Sequence, residues 1–302
     1  MVKILLTGKS GQVGFELQRS LPALGEVVAV DYAECDLSDQ AALRALIRSV
    51  KPGIIVNAAG YTAVDKAESE IALVSAVNAR ALGVIGEEAA RLGACVVHYS
   101  TDYVFDGKKP SPYNEDDATY PLSVYGLTKR DGELALQASG ARNLILRTSW
   151  VAGVHGNNFA KTILRLAAER DKLEVVADQL GVPTPASLLA ESTAQLLRQL
   201  QREGLDSFAF GLYHLVPSGE THWHEYACFV LDEAVRAGKK LKLKAEHVKA
   251  ITTSQYPTAA MRPANSRLDT ARLRRTFALE LPSWQSGMRK VLQEIFQGRH
   301  AA

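Results

Sequence analysis

"LLTGKSGQVG", Leu5 to Gly14, decides the fold of this chain. It runs from the end of an apolar strand, through glycines at positions 8, 11 and 14, into a helical pattern. Glycines there permit a tight turn and let the backbone approach a pyrophosphate closely. The free N–H groups of the new helix then meet its negative charge. A tight turn without ligand would explain the glycines alone. The next strand, "EVVAVD", ends in Asp31, 23 residues after Gly8, where a carboxylate can hydrogen-bond an adenosine ribose hydroxyl. Strand, glycine turn, helix and acid together predict a dinucleotide site.

Outward from that turn, short apolar runs alternate with helical patterns. "GIIVNAAG" follows a helix stopped at Pro52, and "CVVHYST" follows an alanine-rich helix from about Ala72 to Leu92. "NLILRTSW" follows a helix carrying Tyr125 and Lys129. Apolar strands without polar alternation, separated by amphipathic helices, indicate a parallel sheet covered on both faces. The predicted architecture is α/β, a Rossmann-type doubly wound sheet over residues 1–150. After Trp150 the pattern is less regular, with helices at "NNFAKTILRLAAER", "ASLLAESTAQLLRQL" and "WHEYACFVLDEAVRAG" and strands at "LEVVAD" and "GLYHLV". Residues 151–302 are read mostly as a smaller substrate-binding lobe, with some strands returning to the main sheet.

Composition removes several functions. A net charge of +2 gives no strong field, so neither nucleic acid nor a membrane surface is implied as a partner. Cys35, Cys95 and Cys228 are far apart and form no C-x-x-C pair, which fits reduced thiols in a cytoplasm. The start of the chain lacks a signal-peptide core, and no run nears the roughly 18 apolar residues of a membrane span. The expectation is a soluble cytoplasmic protein.

"YGLTK", Tyr125 to Lys129, sets a phenol and an ammonium four residues apart, on one face of a helix. A cation there favours the phenolate and is expected to draw tyrosine down from its usual value of about 10, toward useful acid catalysis.

"STDYVFDG" (100–107), "YGLTK", "TSW" (148–150) and "RPANSRLD" (262–269) occur in order, joined by "VNAAGYTAVDKAE" (56–68) and "GNNFAKT" (156–162). With the Gly-x-x-Gly-x-x-Gly spacing, they make the chain resemble the dTDP-4-dehydrorhamnose reductase family of the extended short-chain dehydrogenase/reductase superfamily. The likeness runs from Lys3 to beyond Trp284. It implies an NADH- or NADPH-dependent reductase of a dTDP-4-keto-6-deoxy sugar, yielding dTDP-L-rhamnose for polysaccharide synthesis. It makes Tyr125 the proton donor, Lys129 its partner and ribose ligand, and Thr101 a hydroxyl beside both. Cofactor contacts are implied at Gly8, Gly11, Gln12 and Val13, at Asp31, Asp36 and Leu37, and at Gly60, Tyr61 and Thr62. Asp36 could equally be a loop acid ahead of a Ser38 helix cap. Substrate contacts are implied at Thr101, Asp102, Trp150 and Arg262, the last as a diphosphate clamp, although Arg262 could equally form a surface ion pair. Family members can form homodimers and can hold Mg2+ through glutamates, for which Glu16 and Glu191 are candidates against a plainer reading as surface carboxylates. Sugar-nucleotide epimerases and dehydratases share the fold. The regulatory subunit of methionine adenosyltransferase resembles the family too, and intact Thr101, Tyr125 and Lys129 speak against such a binding-only role.

Two other features are set aside. "KKLKLK" (239–244) reads as a solvated strand face, and His222 and His224, two apart, point from different helical faces rather than to a metal.

Overall fold

The computed structural model describes residues 2–298. Six parallel strands form the main sheet: β1 (Lys3–Thr7), β2 (Glu26–Val30), β3 (Ile54–Asn57), β4 (Cys95–Thr101), β5 (Arg142–Thr148) and β6 (Gly211–His214). Their order is β6-β5-β4-β3-β1-β2, the doubly wound arrangement expected from the sequence. β3 and β4 are buried along their whole length, which is why they read as unbroken apolar runs.

Helices cover both faces. On one, Gln12–Ser20 and Ala186–Glu203 pack Leu17, Leu189 and Leu197 against Ile4, Leu6 and Val56. On the other, Gln40–Val50 and Ala81–Leu92 bury Leu43, Ile47 and Ile85 against Leu5, Ile55 and Val96. Ala186–Glu203 and β6 thus pack with the sheet although they follow Trp150. A further core joins helices Phe159–Glu169, Trp223–Arg236 and Trp284–Phe296 around Tyr226, Trp284 and Met288.

The alanine-rich helix runs from Ile71 to Leu92, with a π-helical turn at Ala76–Arg80. Such wide turns recur at functional sites, because the extra residue re-aims a side chain. Here Asn78, buried in that turn, accepts from Tyr61 N (2.8 Å) and donates to Tyr61 O (3.1 Å). It fixes the loop after β3.

Two local expectations change. Gln40–Val50 is capped by Asp39, whose carboxylate accepts from Ala41 and Ala42 N–H, and not by Ser38. "KKLKLK" keeps its alternation, with Leu243 buried and the lysines exposed, but forms no strand. Lys242 and Leu243 donate their N–H groups to Ala167 O at the end of a helix, so no strand partner remains. No helix among the described residues is long and apolar enough to cross a membrane.

Candidate active site

The glycine turn is fixed by contact distances. Gly8 has φ +76°, and a β-carbon on it would stand 2.6 Å from Ala59 N. One on Gly14 would stand 1.9 Å from Gly8 O, so only glycine lets the helix start this close to β1. At Gly11, whose φ of −71° any residue adopts, a β-carbon would stand 3.3 Å from Gly8 O, a tight contact that a shift of a few tenths of an ångström would relieve. Asp31 accepts from Ser10 N (2.7 Å), from the Ser10 hydroxyl and from Tyr32 N (2.8 Å). These bonds hold its carboxyl below the usual range despite partial burial. Lys9 is paired with Glu34 at 2.5 Å.

Above the turn lies a cleft of about 870 Å³ at the C-terminal ends of the strands, the usual ligand position in open α/β sheets. Gly8, Gly11, Gln12, Val13, Asp31, Asp36, Leu37, Gly60, Tyr61 and Thr62 all line it. So do Thr101, Asp102, Tyr125, Lys129 and Trp150. Asp36 also accepts from Ser38 N at 2.8 Å.

Tyr125 and Lys129 sit on the helix Val124–Ala138, begun by Ser123, whose hydroxyl accepts from Gly126 N. Gly126 and Gly132 let this helix approach closely, since β-carbons there would meet Tyr103 O at 2.2 Å and Asn78 O at 2.1 Å. Burial pushes the Tyr125 phenol up to about 12, Asp102 adds to the rise, and the Thr101 hydroxyl opposes it. The expected acidification by Lys129 is absent. The amine instead donates to Tyr99 O (2.6 Å) and meets His98 Nε2 at 3.0 Å, directed into the sheet. Burial brings Lys129 down to about 8, with Glu133 opposing. Thr101, at the end of β4, donates to Asp102 Oδ1 at 3.0 Å. Asp102 is 2% exposed, and burial raises it to about 6 against the hydroxyls of Ser266 and Thr101.

The substrate end is built from side chains leaning on one another. Trp150 has φ +45°, a strained value for a bulky residue, and its ring stacks on Trp223 at 3.6 Å. Its ring is so close to Gly181 that a β-carbon there would stand 2.5 Å from it. Arg262 does not line the main cleft. It borders a second cavity of about 850 Å³ with Gln179, Tyr256 and Trp223, and Trp223 borders both. Its guanidinium forks onto Asp65 at 2.8 and 3.1 Å, the ion pair that was the alternative to a clamp, with a partner the sequence did not name.

Some contacts escaped the sequence reading. Gln12 Oε1 accepts from Gly153 N (2.8 Å) and Asn158 Nδ2 (3.0 Å), tying the "GNN" loop to the glycine turn. Ser100 Oγ and Thr148 Oγ1, buried beside the cleft, have no hydrogen-bond partner among the described residues. A serine or threonine at a strand end gives no such signal in one sequence.

Glu16 and Glu191 lie outside the cleft. Burial raises Glu16, Arg19 opposes, and Glu294 and Glu191 add to the rise. No three potential metal ligands gather among the described residues. His222 caps the helix Trp223–Arg236 and His224 Nε2 lies 2.9 Å from Val248 O.

Against known proteins, the family model described as RmlD substrate binding domain matches residues 2–297. The dTDP-4-dehydrorhamnose reductase of Escherichia coli K12 is 50% identical over 299 residues, covering 98% of each chain. The crystal structure of dTDP-4-dehydrorhamnose reductase from Bacillus anthracis in complex with NADP superposes with a TM-score of 0.85. It is 32% identical, over 97% of this chain and 99% of that one. A UDP-glucose 4-epimerase from Thermus thermophilus, in complex with NAD, has a TM-score of 0.78 over 98% of this chain and 99% of that one. At 20% identity it shares the fold alone.

Proposed function

This chain belongs to the dTDP-4-dehydrorhamnose reductase family, and on that premise we propose that it reduces dTDP-4-dehydro-β-L-rhamnose to dTDP-L-rhamnose with NADH or NADPH. One observation carries the reading: Tyr125, Thr101 and Lys129 meet the glycine turn in a single cleft at the strand ends. The cleft suits a dinucleotide, because the glycine turn lines it and Ser100 and Thr148 offer buried hydroxyls without partners. The N–H groups of Gly11, Gln12 and Val13 would hold its pyrophosphate. Asp31, Asp36 and Leu37 would line the adenosine, and Gly60, Tyr61 and Thr62 the passage between. Reduced nicotinamide, when bound, supplies a hydride for carbon 4 of the sugar.

The chain's own part is to hold the ketone and give a proton. A phenol held at about 12 stays protonated at neutral pH and yields its proton only as the ketone oxygen becomes alkoxide. Tyr125 is that donor, so the product gains one hydrogen on carbon and one on oxygen. Thr101 places a second hydroxyl at the same oxygen, and Lys129 binds the nicotinamide ribose. Asp102 takes a sugar hydroxyl, and the Trp150 ring lies against the sugar face. Arg262 would turn from Asp65 to the diphosphate, with the nucleoside in the second cavity.

The test follows cofactor absorbance with dTDP-4-keto-L-rhamnose. One reduced cofactor should be consumed per sugar, and the product should gain two hydrogens. Product of unchanged mass, with oxidised cofactor retained on the protein, would assign the chain to the epimerases instead.

A further inference from the structure

A row of buried polar groups crosses three neighbouring strands of the sheet beneath the cleft. Thr7 on β1 is the register partner of Asn57 on β3, and Asn57 that of His98 on β4. The row stops there, because His98 faces Ile145 on β5. All three are 0 to 1% exposed. The Thr7 hydroxyl lies 2.5 Å from Asn57 Oδ1, Asn57 Nδ2 lies 3.0 Å from His98 Nδ1, and His98 Nε2 lies 3.0 Å from Lys129 Nζ. Buried polar groups cost stability unless each is paired. Here every member is paired, and the row ends on a residue of the active site.

Counting protons shows what the row can do. Full burial holds the His98 imidazole neutral, with the Lys129 charge adding to that effect. A neutral ring has one N–H and one bare nitrogen. When Lys129 is an ammonium it donates to Nε2, so Nδ1 carries the hydrogen and must give it to the Asn57 oxygen. Asn57 then presents its NH2 to the Thr7 hydroxyl. When Lys129 is an uncharged amine, Nε2–H donates to it and Nδ1 accepts from the Asn57 NH2. The Asn57 oxygen then accepts from Thr7. An amide flip and a tautomer change interconvert the two without displacing the backbone.

We propose that His98 is the positioning residue for Lys129, holding its amine from the sheet side and exchanging tautomers as that amine gains or loses a proton. This rests on the reading of Lys129 as part of a reductase site. Other groups facing the amine are few. Tyr99 O accepts from it, Tyr125 lies one turn before it and Glu133 one turn after. Glu133 is already bound to Arg147 at 2.6 and 2.9 Å. Asn57 alone faces the other edge of the ring in this row. Without His98, the ammonium would lose one of its two acceptors while remaining buried.

The test needs no turnover. Nitrogen-15 NMR of ring-labelled histidines in the full chain, without cofactor, reads which nitrogen carries hydrogen. His98→Asn identifies the His98 signals among the seven histidines. Between pH 6 and 10, His98 should stay neutral while its hydrogen moves from Nδ1 to Nε2. The Lys129→Met protein should show no such movement. One tautomer throughout in the wild type, or a switch that survives Lys129→Met, would overturn the proposal. A second arm uses turnover. His98→Asn should lower kcat about tenfold or more and move the alkaline limb of its pH profile down by about one unit, as loss of one charge-assisted bond would. His98→Gln, whose amide reaches toward Lys129, should stay within about threefold of wild type. Lowered kcat with an unmoved limb would make His98 merely structural and overturn the proposal. An NMR switch in a protein without reductase activity would instead refute the reductase reading alone.

Discussion

The two ends of the cleft are built on different principles. At the cofactor end, geometry is set by backbone contact: β-carbons on Gly8 and Gly14 would strike neighbouring main chain at 2.6 and 1.9 Å. At the substrate end, side chains hold one another. Trp150 is stacked on Trp223, and in the adjoining second cavity Arg262 rests on Asp65. A backbone cradle needs no rearrangement to receive a pyrophosphate. Paired side chains can exchange one partner for another, since an arginine fork suits carboxylate and phosphate alike. On the proposed reading, the common ligand, a dinucleotide, meets a preformed surface, whereas the particular one meets groups that must let go of each other.

That contrast can be broken at several points. The largest effect is expected where the two ends meet. Tyr125→Phe should leave cofactor binding intact and lower kcat by about 10²–10⁴-fold; turnover within threefold of wild type would remove the phenol as donor. Next comes Asp102, raised to about 6 from an ordinary value of about 3.9. The folded protein binds that proton more tightly than the unfolded chain does. The resulting stability is full below about pH 4 and lost as pH rises through about 6. Asp102→Asn should therefore flatten the fall in Tm over that window and gain up to about 2–3 kcal/mol at neutral pH. Parallel Tm curves for the two proteins would show that the carboxyl is not so raised.

A pair of alanine variants separates sterics from ligand access. Gly14→Ala should lower stability by about 1–3 kcal/mol and weaken cofactor binding. Gly11→Ala, whose β-carbon would meet Gly8 O at 3.3 Å rather than 1.9 Å, should lose less Tm than Gly14→Ala yet still lose cofactor affinity. Fluorescence titration beside thermal melts decides, and equal Tm losses would erase the distinction. At the other end, Asp65→Asn frees Arg262 and should change KM for the dTDP-sugar by about two- to fivefold, with little change in kcat, on the scale of an exposed ion pair. A KM unchanged in that variant would place Arg262 outside substrate binding. The smallest effect concerns coenzyme choice. Asp31 suits a ribose hydroxyl and repels a 2′-phosphate, while Lys9 is engaged by Glu34. NADH should match NADPH in kcat/KM, or fall within about tenfold of it, and a hundredfold preference for NADPH would mean that Asp31 points elsewhere.

The strand order's parallel character, the glycine turn, Asp31 and the Tyr125–Lys129 spacing were legible in the chain, because each depends on local rules. Period, turn chemistry and helical spacing act over a few residues. The direction of Lys129 was not legible. Four-residue spacing put it beside Tyr125, and only the packed sheet offered Tyr99 O and His98 as stronger claims on its amine. Arg262 was legible as a diphosphate clamp or a surface ion pair, while its partner Asp65, 197 positions away, was not.

Sequence alone therefore determined the class of fold and named the candidate cofactor and reacting side chains, since those follow from residue type and short-range spacing. Tertiary structure decided the acidities and the pairings. Tyr125 stands at about 12, where a neighbouring cation alone would have lowered it, because burial acts on the charged form more strongly than a cation directed elsewhere. Thr7, Asn57 and His98 became one row only when three separate strands took their register, and no spacing along the chain encodes a contact made across a sheet.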